Sequence, residues 1–69
     1  MKQEKYLVQI GKRIKAKREA KGLTMRSFCE LAGMDLSSYS RIENGQKNSH
    51  IMTLKKIAEI LKADVKEFI

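Results

Sequence analysis

Arg41 carries the most specific chemistry in this chain of 69 residues. Its guanidinium is a planar fork of donors that matches guanine O6 and N7, and a good pair of this kind gives about 1–3 kcal/mol of discrimination. The plainer alternative is a surface arginine held by a partner three or four residues away. Ser37 and Ser38 are small, so a backbone can approach them closely. Their hydroxyls can bond base edges or phosphate, or simply face solvent. Leu36 can touch a thymine methyl group, or serve as packing or as half of a protein–protein contact. Behind Thr24, the free N–H groups of a helix start can bind a phosphate oxygen. Catalytic chemistry has little to work with. The chain has one histidine, His50, and one cysteine, Cys29. These supply no triad, dyad or metal set. We expect no enzyme, no metal site and no cofactor.

These groups need a frame, and the composition predicts an all-α one. There is no proline. Leu, Ile, Met and Ala recur at spacings of three and four, and no β-branched alternation appears. Leu7, Ile10, Ile14 and Arg18 share one stripe and predict a helix over 4–21, about 27 Å long. Gly22 is the expected left-handed residue after its end, with Leu23 as the apolar contact that follows. Thr24 is an N-cap for a helix over about 25–32, with Phe28, Leu31 and Ala32 inward. Gly33 ends it and lets the chain turn in about three residues. Asp35 caps a third helix, about 36–44. Tyr39 and Ile42 lie inward on it; Leu36, Ser37, Ser40, Arg41 and Asn44 lie outward. Asn44 and Gly45 close it, since both tolerate the left-handed region.

A polar loop over 46–49 leads to a fourth helix, about 51–61, capped by Ser49 or His50. Its inner face is Leu54, Ile57, Ala58 and Leu61. Asp64 and Glu67 fit a capping box, which predicts a last helical turn over 65–69. We read 1–69 as one domain without repeats or linkers.

The formal net charge is +7, which favours a polyanionic partner. The charge is unevenly placed. Residues 1–21 carry eight Lys/Arg against two Glu; residues 22–50 carry three against three; residues 51–69 carry four against three. Much of this is also what a solvated helix face requires, so charge alone does not establish nucleic-acid binding. One cysteine excludes an internal disulfide and suits a reducing cytoplasm. The first residues are charged, and no apolar run approaches the roughly 18 residues of a membrane span. We expect no signal peptide and no membrane association.

The segment Ile10-Gly11-Lys12-Arg13-Ile14, then Arg18, Gly22-Leu23-Thr24, Phe28, Leu31-Ala32-Gly33-Met34 and Tyr39-Ser40-Arg41-Ile42-Glu43-Asn44-Gly45, resembles the lambda-repressor-like family of bacterial and phage regulators, also called the Cro or XRE type. The likeness covers about residues 8–68. It implies a five-helix domain with its helix-turn-helix at about 24–45 and a recognition helix, 36–44, that enters the major groove of double-stranded DNA. It implies base contacts from Leu36, Ser37 and Arg41. Ser38 and Ser40 lie nearby, against the backbone. Phosphate contacts are implied for Thr24, Met25, Asn44, Lys47 and Asn48. It also implies a mostly buried structural ion pair between Arg18 and Glu43.

The chain departs from the family pattern in places. Met25 stands where the family usually has a hydrogen-bonding Gln. Cys29 stands at a usually alanine position and reads as packing. Tyr39 replaces an aliphatic, with its ring packed and its hydroxyl directed to an edge or a phosphate. The proline common before the fourth helix is absent.

The reading is a sequence-specific transcriptional regulator, repressor or activator, acting as a homodimer on a pseudo-palindromic operator. The candidate dimer contact is 62–69, through Val65 and Ile69, with Phe68 closing the core. The alternative is an antitoxin or bridging-type interaction module whose main partner is another protein. Leu36 on an outer face, Met25 and the neutral charge of 22–50 lean that way. No small-molecule ligand is evident.

Overall fold

The computed structural model describes residues 5–48 and 50–69. Four helices follow one another: α1, Lys5–Ala20; α2, Met25–Ala32; α3, Leu36–Glu43; and α4, Ile51–Leu61. A 3-10 turn, Val65–Glu67, closes the chain. The expected fifth helix is therefore only this turn. Its capping box forms, with the Lys66 amide donating to Asp64 Oδ1 at 3.0 Å and the Asp64 amide to Glu67 Oε2 at 2.9 Å. A box of this kind satisfies the start of a helix; three residues give it no further turn to propagate.

The boundaries follow from the caps. Thr24 Oγ1 accepts the Ser27 amide at 3.0 Å, and Ser27 Oγ accepts the Thr24 amide at 2.9 Å. Asp35 Oδ2 accepts the Ser38 amide at 3.1 Å. Gly33 adopts φ 65°, where a side chain would strain the backbone, and this lets the chain turn from α2 into α3 within three residues. Of the two residues after α3 that tolerate the left-handed region, Gly45 adopts it, at φ 72°, and Asn44 stays at φ −88°. His50 holds the N-cap position of α4 without a side-chain bond. Ser49 lies outside the described residues.

The core draws on all four helices and on the residue after the closing turn: Ile14 from α1; Phe28, Cys29 and Ala32 from α2; Tyr39 and Ile42 from α3; Leu54, Ile57, Ala58 and Leu61 from α4; and Phe68. The rings of Phe28 and Tyr39 stack at 4.6 Å between centroids. Leu31 corrects the spacing argument, because it is 66% exposed while Cys29 is buried. At about 100° per residue, Cys29 and Ala32 lie roughly 100° and 40° to one side of Phe28, and Leu31 about 60° to the other. The short helix buries only the first side. No described helix is long and apolar enough to cross a membrane.

The closing turn is pinned to α1. Lys17 Nζ lies 2.7 Å from Glu67 Oε1, and Arg13 Nη1 donates to the Phe68 carbonyl at 3.3 Å. Lys17 and the Asp64 amide together hold the Glu67 carboxyl below its ordinary value. A carboxyl lowered in the folded state adds stability above its unfolded pKa and loses it as pH falls through the folded one. Acidification from about pH 5 to pH 3 should therefore lower the wild-type melting temperature more steeply than that of Glu67→Gln. Thermal melts across that range check this, and parallel acid limbs would count against it.

Candidate nucleic-acid interface

α3 is held from one side only. Tyr39, Ile42 and Glu43 are buried, whereas Leu36, Ser37 and Arg41 are exposed. Residues 36, 37, 40, 41 and 44 share the outer face, as helical spacing requires. Ser40 on that face and Ser38 beside it are half-buried. The exposed Asn44 side chain donates to Ser40 Oγ at 3.4 Å. Thr24 is exposed at the start of α2, and Lys47 and Asn48 are exposed in the α3–α4 loop. Met25 packs part of its side chain against the core, so what it presents outward is mainly its backbone amide. The Ser27 amide is used by Thr24, leaving the amides of Met25 and Arg26 as the orphan donors of that first turn. Arg26, also exposed there, is a cation that spacing arguments pass over; its place two residues after the Thr24 cap was the available signal.

Behind α3 lies a polar cluster in an otherwise apolar interior. Arg18 Nε donates to Glu43 Oε2 at 2.6 Å and Nη2 to Oε1 at 3.2 Å. Nη1 donates to the Leu23 carbonyl at 2.5 Å. The two side chains are 7% and 4% exposed. The Tyr39 hydroxyl also donates to Glu43 Oε2. This corrects the expectation of a hydroxyl directed to an edge or a phosphate. A buried phenol needs an acceptor, and Glu43 is one helical turn away on the same face. Hydrogen bonding to Glu43 raises the Arg18 pKa further. Burial, and then Glu43, push the Tyr39 phenol well above its ordinary range. Burial likewise pushes the Cys29 thiol up, in keeping with its packing role.

A second surface feature is an open apolar groove of about 450 Å³ between α1, the start of α4 and the chain end. Tyr6, Ile10, Ile51, Phe68 and Ile69 line it with Arg13. Ile69 is 58% exposed, whereas Val65 is half-buried against the core. Among the described residues, no group of three or more His, Cys, Asp or Glu gathers where a metal ion could sit.

Two short capped helices joined by a glycine turn, the second buried on one side and polar on the other, define a helix-turn-helix protein. The HTH_3 helix-turn-helix family model matches residues 14–68. The restriction-modification controller protein C.AhdI from Aeromonas hydrophila is 33% identical, with a TM-score of 0.86 over 91% of this chain and 96% of that one. An HTH_3 family transcriptional regulator from Vibrio cholerae is 32% identical at a TM-score of 0.83, over 91% of this chain but only 35% of that one. The clp gene regulator ClgR from C. glutamicum, at 22% identity, shares the fold, with a TM-score of 0.89 over 97% of this chain and 86% of that one. No curated protein sequence matches. The chain belongs to the HTH_3 family of helix-turn-helix proteins, and it is a DNA-binding transcription regulator.

Proposed function

We propose that the protein reads a specific double-stranded DNA sequence by placing α3 in the major groove. The observation that carries this is the one-sided burial of α3, with Leu36, Ser37 and Arg41 presented to solvent. Arg41 pairs with guanine, Ser37 bonds a base edge, and Leu36 meets a thymine methyl group. Thr24, Met25, Ser38, Ser40, Asn44, Lys47 and Asn48 hold the sugar-phosphate backbone and set the register. The protein acts as a homodimer, repressor or activator, on a pseudo-palindromic operator whose half-sites lie roughly 34–36 Å apart. The exposed Ile69 and the groove beside it support a dimer contact at the chain end; Val65, packed inward, contributes less. The restriction-modification controller C.AhdI, similar over nearly its whole length, supports a regulator.

Selection of bound duplexes from a random pool tests this. A two-fold symmetric motif should emerge. Arg41→Ala should lose its guanine preference, weakening binding to the selected site about 10- to 100-fold, the equivalent of about 1–3 kcal/mol. No enrichment even at low salt would sink the proposal.

The second reading is an interaction module with a protein partner. The same apolar groove and the exposed Leu31 and Leu36 favour it. Salt dependence separates the two. DNA binding should fall with log salt at a slope of about −0.9 per phosphate contacted, and a flat response with tight protein partnering would favour the module.

A further inference from the structure

We propose that Tyr39 is a positioning residue for DNA reading: its hydroxyl orients the Glu43 carboxylate toward Arg18 of α1, and that cross-helix pair sets the rotation of α3 about its own axis, and so the aim of Arg41. This rests on the proposed function. Apolar contacts such as those of Ile42 are non-directional and let a helix roll slightly at small cost. Hydrogen bonds are directional. α3 acquires directional references to both neighbouring helices through Tyr39 and, one turn on, Glu43. Its ring stacks on Phe28 of α2 at 4.6 Å. Its hydroxyl shares the Glu43 carboxylate with Arg18 of α1, whose other arm reaches the Leu23 carbonyl between α1 and α2. Tyr39 and Glu43 stand one turn apart, with Arg41 midway in sequence on the opposite face.

The geometry amplifies small errors. Side chains reach about 5–6 Å from a helix axis. A roll of about 10° therefore moves the tip of an outer-face side chain by roughly 1 Å, which exceeds the spread of good hydrogen-bond lengths, about 2.7–3.2 Å. Base-edge contacts from Arg41 do not tolerate such a displacement. Charge attraction to phosphates does, because it falls off slowly with distance. Removing the hydroxyl should therefore erode discrimination between sequences while leaving general attraction to DNA in place. A side chain that merely stabilised the fold would not separate these two quantities.

The test is Tyr39→Phe, which keeps the ring and its stack on Phe28. Dissociation constants are measured for the selected operator and for a scrambled duplex, at one salt concentration and at a temperature where circular dichroism shows full folding. The ratio of the two constants is expected to fall about tenfold, with scrambled-duplex affinity and salt slope unchanged. Ile57→Val, a conservative loss in the fully buried part of α4, is expected to keep the wild-type ratio. If Tyr39→Phe melts too low, all proteins are compared in the concentration of a stabilising osmolyte that restores folding. An unchanged ratio in Tyr39→Phe overturns the role of Tyr39, as does an equal fall in Ile57→Val. A wild type that prefers no duplex at all overturns instead the reading on which this role rests.

Discussion

Glu43→Ala is expected to melt far below the wild-type protein. The substitution leaves the Arg18 guanidinium buried without its carboxylate partner, beside the Leu23 carbonyl and Glu19, whose carboxylate lies 3.9 Å away and is largely exposed. It also strips the Tyr39 hydroxyl of its acceptor. Breaking one side of a buried pair costs about 3–5 kcal/mol. For a domain of this size each kcal/mol lowers the melting temperature by about 4–8 °C, so a fall of at least about 12 °C follows. That loss is a large share of the roughly 5–15 kcal/mol typical of a folded domain. Replacing both partners by apolar residues of similar volume, as in Arg18→Met with Glu43→Leu, should recover much of it, because no lone charge remains. Thermal and urea unfolding of the single and double variants check this. A Glu43→Ala protein that melts like wild type would remove the pair from the determinants of the fold.

Gly11→Ala should also destabilise, against the usual trend. Within an exposed helix, alanine is favoured over glycine by about 1 kcal/mol. Here Gly11 is buried where α1 crosses the end of α3. A Cβ at this position would lie 2.6 Å from the Ile42 carbonyl oxygen and 2.7 Å from the Glu43 carbonyl carbon. Both obstacles are backbone, so no rotamer change relieves them. α1 would have to retreat, drawing Arg18 away from Glu43 as it went. Overpacking of this kind typically costs about 1–3 kcal/mol or more, which outweighs the propensity gain. The urea midpoint of Gly11→Ala reads the sign directly. A midpoint above that of wild type would show that α1 and α3 are not in backbone contact.

Local chemistry made most of the frame legible in advance. Thr24 and Asp35 announce their helices because a side-chain oxygen facing an amide three residues on is a nearest-neighbour event. The bounds 25–32 and 51–61 correspond to the observed helices. The misreadings arise where tertiary packing decides. Leu31 and Ala32 both satisfy helical spacing from Phe28, and only the direction of the neighbouring helices selects the second. Asn44 tolerates a left-handed backbone, yet one such residue suffices and Gly45 takes the role. The capping box at Asp64 marks a start but carries no information on how far a helix continues. Tyr39 was half legible. Its ring had to turn inward, and an acid one turn later on the same face was the clue to its hydroxyl. Arg18 and Glu43 are 25 residues apart in sequence, and no local pattern joins them; only the family resemblance does.

The one-sided anchoring of α3 has an evolutionary consequence. The residues that hold the helix, Tyr39, Ile42 and Glu43, alternate along eight residues with those that face away from the core, Leu36, Ser37 and Arg41. None of the three outward side chains supports the core, so the outer face can mutate almost freely without a stability threshold being crossed. Drift can therefore sample new outer faces on an unchanged scaffold, one residue at a time. In duplicated copies of such a gene, divergence should accumulate first at 36, 37 and 41, while the inward positions of the same short helix stand still.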